Sequence, residues 1–130
     1  MSTSLKLTVV LSVSQEELYK AWLGSKEHSA FTGGEAIIEA KVGGRFTAWD
    51  GYIEGTIIEL QPFGKIVQSW RTSDFPAGTP DSKLEIIFEP DNDKTKLILI
   101  QSETPEGQED EYKQGWEDYY FEPMKKYFSK

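Results

Sequence analysis

The chain has 130 residues, no cysteine and a net charge of −8. That length fits one domain, residues 1–130, and an apolar fraction of 38% is enough for a core. The missing cysteine excludes a disulfide framework and fits a reducing, cytoplasmic setting, while the acidic balance argues against nucleic acid, whose phosphates require a basic face.

Leu5, Leu7, Val9 and Leu11 alternate with polar residues, which predicts a half-buried strand. With no basic leader in front, this stretch reads as structure and not as a signal peptide. Nothing further along approaches the roughly 18 apolar residues of a membrane span. Ser14 and Glu17 then form a capping box, and Val13 with Leu18 has the spacing of a hydrophobic staple. They open a helix whose apolar stripe is Leu18, Ala21 and Trp22, with Gly24 as its C-terminal cap. Residues 25–31 read as a short second helix or turn, with His28 on its surface.

From residue 35 the pattern becomes a meander of six strands. Ala36–Ala40 and Arg45–Trp49 flank Gly43-Gly44, and Asp50-Gly51 is a type I′ hairpin signal leading into Tyr52–Leu60. Lys65–Thr72 follows the turn at Pro62-Phe63-Gly64. A looser loop, Ser73–Asp81, precedes Ser82–Glu89 and Lys94–Glu103, which pair around Asp91-Asn92-Asp93. Gln68 and Gln101 share the inward parity of their strands. Each amide needs a partner on the helix, such as Tyr119 or Tyr120, or a water, unless it anchors a ligand. Arg71 points to the opposite face, where a salt bridge suits it.

The last segment is helical. Tyr112, Trp116, Tyr119, Tyr120, Pro123, Met124, Tyr127 and Phe128 recur at spacings of three and four, and Pro123 predicts a kink or weakened turn. Between Glu103 and Glu122 lie eight acidic residues against one base, Lys113, a net of −7 over twenty residues. This stretch reads as a solvated face or as a docking surface for a basic partner. The fold class is α+β in the order β-α-β6-α, a curved antiparallel sheet of six to seven strands around a long C-terminal helix.

The lone His28 has no metal-ligand or nucleophile partners at a usable spacing, and the glycines form no phosphate-binding pattern. The chain therefore reads as a non-enzyme without cofactor or metal. The rings of Trp22, Trp49, Trp70, Phe88, Trp116, Tyr119 and Tyr120 either fill the core or line a cavity, with Phe46, Ile53, Leu99 and Met124 beside them. A ligand burying about 300 Å² of apolar surface gains roughly 7 kcal/mol at ~25 cal/mol/Å². Association costs of about 4–15 kcal/mol oppose that gain, so a pocket without polar anchors binds weakly.

Five pieces together resemble a known family. They are Phe46-Thr47-Ala48-Trp49-Asp50-Gly51-Tyr52-Ile53-Glu54-Gly55, Leu60-Gln61-Pro62, Ile66-Val67-Gln68-Ser69-Trp70-Arg71, Phe75-Pro76-Ala77-Gly78 and Gly115-Trp116-Glu117-Asp118-Tyr119-Tyr120-Phe121. Their order and spacing are similar to the C-terminal domain of the activator of heat-shock protein 90 ATPase. That domain is a member of the START-like (SRPBCC, helix-grip) superfamily, with lipid-transfer and plant pollen-allergen proteins. The resemblance implies a curved sheet gripping the terminal helix, with a cavity or groove between them. It also implies two roles: a site for a small apolar molecule or hydrophobic protein segment, or a cochaperone-like regulator of an Hsp90 homologue. A small enzyme of the same superfamily is a third reading.

Overall fold

The computed structural model describes residues 3–105 and 107–128. Strand β1 (Thr3–Leu11) buries Leu5, Leu7, Val9 and Leu11, as their alternation dictates. Helix α1 (Gln15–Leu23) starts on its cap: Ser14 Oγ accepts the Glu17 N–H at 3.1 Å. Gly24 N–H closes the last turn on the Lys20 carbonyl, and α2 (Ser25–Thr32) follows directly.

The meander is β2 (Ile37–Ile38), β3 (Arg45–Ala48), β4 (Ile53–Gln61), β5 (Lys65–Thr72), β6 (Ser82–Asp91) and β7 (Lys94–Thr104). Each strand pairs antiparallel with the next, and β1 comes back alongside β7. The described residues thus form a seven-stranded sheet in the order β1-β7-β6-β5-β4-β3-β2. On its gripping face, cross-strand pairs such as Ile86 with Leu99 and Phe88 with Leu97 form the floor. Arg71 does find its salt bridge, to Asp81 at 2.9 Å, and also donates to the Thr79 carbonyl, pinning the 73–81 loop.

One local expectation is corrected and another is extended. The first meander strand is shorter than Ala36–Ala40, covering only Ile37–Ile38; it lies at the edge of the sheet, and the Ala36 and Ile38 N–H groups donate to the hydroxyls of Ser29 and Ser25 on α2. Asp50-Gly51 does form the β3–β4 turn, at φ 59° and 92°, with the Tyr52 N–H closing it on the Trp49 carbonyl at 3.1 Å. A second turn overlaps it, centred on Trp49 (φ 52°) and Asp50 and closed by the Gly51 N–H on the Ala48 carbonyl, so that the connection is a four-residue loop and not a two-residue hairpin. Asp50 anchors this loop: its N–H donates to the Glu35 carbonyl, and its Oδ1 accepts the Glu35 N–H at 3.0 Å.

The terminal helix is α3 (Glu109–Trp116), then a π turn over Glu117–Phe121, then α4 (Glu122–Phe128). In the π turn the Glu122 N–H reaches five residues back, to the Glu117 carbonyl. Pro123 explains the change of pitch. It has no N–H to give, and in a regular α-helix its ring would strike the Tyr119 carbonyl. The wider turn takes up an extra residue, so Phe121 turns into the core and Tyr119 turns out, 59% exposed, against the regular spacing expected. Among the described residues no helix is long and apolar enough to cross a membrane.

Met124 is fully buried on α4, beyond the π turn. Met124→Ala should cost about 2–5 kcal/mol, as for other large-to-small core changes. The check is the urea midpoint, which should fall with little change in the slope of the transition.

Candidate functional site

Two tryptophans decide how the helices meet the sheet. Gln68 on β5 and Gln101 on β7 are buried, and each accepts an indole N–H at 2.9 Å, from Trp22 on α1 and Trp116 on α3 respectively. Gln101 Nε2 then donates to Ser82 Oγ, which donates to the Trp70 carbonyl. The amides are therefore satisfied by tryptophans, not by Tyr119 or Tyr120. Unpaired, each would cost about 1–3 kcal/mol.

His28 is also corrected. It is 4% exposed, packed between Trp22, Phe31 and Tyr120. Nδ1 lies 2.9 Å from the Trp22 carbonyl, which only accepts, so Nδ1 carries the proton. Nε2 is then the acceptor for the Tyr120 hydroxyl at 2.8 Å. Burial lowers the imidazole from its usual 6.5 to about 4, against the opposing pull of the Trp22 carbonyl. Burial also pushes the Tyr120 phenol up. The i, i+3, i+4 spacing of His28, Phe31 and Thr32 carried the signal of a buried stripe.

Around this cluster the interior is full. The enclosed space bordered by Trp22, Phe46, Gln68, Trp70, Trp116 and Tyr120 is about 10 Å³, near the smallest space that holds one water. Phe88, Leu99, Gln101 and Met124 lie in packed core, Phe88 against Tyr19 at 5.9 Å.

The open space lies at one end of the helix. A groove of about 370 Å³ separates α3 and the π turn from the β3–β4 hairpin. Trp49, Ile53, Trp70, Trp116, Tyr119 and Tyr120 stand in its wall, as do Tyr52, Glu111, Tyr112 and Gly115, which sequence reasoning did not single out. Tyr112 belonged to the helical stripe. Tyr52 and Gly115 lay in the family motifs and Glu111 in the acidic stretch, but nothing marked them as groove residues, because the groove's position follows from the hairpin's placement. Most of the polar tips here are occupied. Tyr52 donates to Asp74 at 2.6 Å, and burial, then that bond, pushes its phenol up to about 12. Tyr112 accepts from Thr72 at 2.7 Å and donates to Gln108 at 2.8 Å. Glu111 is the one acidic residue of the wall, which therefore holds no carboxylate pair for acid–base chemistry. Among the described residues no His/Asp/Glu group could hold a metal ion.

Three features of the groove lack a packing explanation. Trp49 occupies a left-handed position that favours Gly, Asn or Asp, a strain of about 1–3 kcal/mol. Its Nε1 is buried and, among the described residues, is the buried side-chain polar atom with no hydrogen-bond partner. Gly115 sits inside a helix, where glycine is unfavourable by about 1 kcal/mol. A Cβ there would meet only Tyr119 Cδ2, at 3.9 Å.

A sheet closed over a terminal helix by buried hydrogen bonds, with an aromatic groove at one end, defines an α+β helix-grip domain. Residues 12–129 match the family model described as "Activator of Hsp90 ATPase homolog 1-like protein". The chain belongs to that family. It is 35% identical over 115 residues to "Activator of 90 kDa heat shock protein ATPase homolog 1" of Homo sapiens, a match covering 88% of this chain and 34% of the relative. It is 30% identical over 124 residues to homolog 2 of Mus musculus, covering 95% of this chain and 37% of the relative. The chain thus spans about a third of the length of the curated relatives it matches. The crystal structure of an HSP90 activator from Plasmodium falciparum superposes with a TM-score of 0.85 at 26% identity, covering 92% of this chain and 91% of that one.

His28 makes stability depend on pH. Its folded pKa lies below the unfolded value, so its contribution is complete above about pH 6.5 and is lost as pH falls toward about 4. Urea midpoints measured through that window should drop more steeply for the wild type than for His28→Asn, by at most about 1.4 kcal/mol per pH unit. At Gly115 the opposite effect is expected. Gly115→Ala should stabilise by up to about 1 kcal/mol, a rise in Tm of roughly 3 °C by calorimetry.

Proposed function

We propose that this chain is a cochaperone-type regulator that docks on an Hsp90-family chaperone and raises its ATPase rate. Membership of the activator family carries this reading, and the surface of the terminal helix supports it. Asp110, Glu117, Asp118 and Glu122 are exposed along that helix, and Glu111 is exposed at the groove wall. Glu106, counted with them in sequence, lies outside the described residues. A field of one sign steers encounter with a basic patch and fixes orientation more than it adds raw affinity. Activation of this kind needs no catalytic group here, since binding one conformation of the chaperone shifts its equilibrium. On this reading the chain works as a single domain in the reducing cytoplasm.

A second reading rests on a different observation, the aromatic groove. Its walls are apolar and partly open to solvent, with Tyr52 39% exposed at the rim. At about 370 Å³ it falls within the usual range of ligand pockets, roughly 300–1,000 Å³. In this reading it takes a small apolar molecule or a hydrophobic protein segment.

The first reading is tested by titrating the protein into an Hsp90-family ATPase assay at several salt concentrations. Turnover should rise saturably, with weaker stimulation at higher salt. Glu117→Lys combined with Glu122→Lys should raise the half-saturating concentration by about tenfold, equivalent to roughly 1.4 kcal/mol. Unchanged turnover at every concentration would remove the proposal.

A further inference from the structure

We propose that the groove takes a small organic cation, an alkylated ammonium whose apolar body lies against the rings and whose charge faces the Glu111 carboxylate. This rests on the reading of the groove as a ligand site and names the ligand class. Seven of the ten wall residues are aromatic and none is basic. Several of their polar tips are already occupied. Tyr52 donates its hydroxyl to Asp74, Tyr112 to Gln108 and Tyr120 to His28, while the Trp116 indole N–H goes to Gln101. Glu111 differs. Among the described residues its exposed side chain makes no hydrogen bond or ion pair. The residues three and four positions away, Gly107, Gln108, Gln114 and Gly115, carry no charge, so no base at helical spacing competes for it.

Charge and shape point to the same class. Aromatic faces carry negative charge density and attract a cation within about 6 Å. Glu111 adds a full charge at the wall, and Asp74 adds a second behind Tyr52. Burial pushes the Tyr112 phenol up, and the charges of Asp74 and Glu111 push it the same way, so both carboxylates act on this wall. An anion is repelled there, and a neutral molecule gains nothing from Glu111. Trp49 meets Tyr119 at 70° and Trp70 meets Tyr112 at 86°. Rings crossing so steeply turn their faces in different directions, which suits a rounded tetrahedral head and not a flat plate. Gly115 lies four residues from both Glu111 and Tyr119. A Cβ there would meet only Tyr119 Cδ2, at 3.9 Å, so no side chain at that position separates the carboxylate from the ring.

The test pairs two probes of equal shape, the cation 4-(trimethylammonio)phenol and neutral 4-tert-butylphenol, at a pH where both phenols are protonated. The full chain is titrated with each while its backbone amide resonances are followed by NMR. Shifts should centre on Gly115 and Tyr119. The cation should bind at least about fivefold more tightly, and added salt should shrink that preference. Glu111→Gln should weaken the cation about threefold, and Tyr119→Leu, which keeps apolar surface but removes the ring, by a similar factor. Neutral 4-tert-butylphenol should change by less than about twofold in either variant. Both side chains are exposed, and an unchanged Trp22 indole resonance shows that the fold is intact. Equal affinity of the two probes for the wild type would overturn the cation class while leaving the groove reading standing. A cation preference that survives both substitutions would place the charge on the acidic surface at large and overturn the proposal too. Failure of both probes to bind the wild type would remove the groove reading itself. Tighter, Glu111-dependent binding of N-acetyl-arginine amide would make the occupant a basic side chain of a partner protein and overturn the small-molecule class.

Discussion

Two buried hydrogen bonds between tryptophan indoles and glutamine amides hold the rest of the structure in place. Trp22 to Gln68 fixes α1 over β5, and Trp116 to Gln101 fixes α3 over β7. Dispersion and burial would let two helices slide over an apolar sheet at little cost, because neither has a direction. A hydrogen bond between fully desolvated groups does have one, and breaking it leaves two unpaired polar atoms. His28 extends the same logic to α2, since its ring joins the Trp22 carbonyl to the Tyr120 hydroxyl. Three helical segments are thereby oriented by polar contacts inside an otherwise apolar core.

This locking explains why the free volume lies where it does. Beneath the middle of the terminal helix the paired rings fill the space to about 10 Å³. The groove runs along Glu111 to Tyr120, where Gly115 presents no side chain and the β3–β4 hairpin stands off the helix. The π turn contributes as well. By absorbing one extra residue it brings Tyr120 and Phe121 inward together and leaves Tyr119 beside Trp49 at the groove. Pro123, four residues beyond Tyr119, is the chemical cause of a change felt at the groove wall.

The helix thus separates two kinds of surface. Its inner face is committed to the core and the groove, while its outer face carries carboxylates that cannot be buried without partners. Some of these are locally occupied, as Glu122 is with Lys125 and Asp118 with Gln114. Such exposed pairs are weak, and they leave the field of the face acidic.

Local chemistry settled much of this protein before any packing was considered. The strand alternation of Leu5 to Leu11, the Ser14 cap, the six-strand meander and the terminal aromatic stripe are set by backbone sterics and by periods of two and about 3.6 residues, all readable from the chain. Gln68 and Gln101 were legible as inward polar groups from parity alone, and the family from the order of its motifs. Parity could not say which donors would reach those amides. Nor could a spacing rule place Tyr119 outside and Phe121 inside, or add a turn at Trp49 ahead of Asp50-Gly51. Each of those outcomes depends on atoms far apart in sequence meeting at hydrogen-bonding distance, and only the closed tertiary structure determines which of them meet.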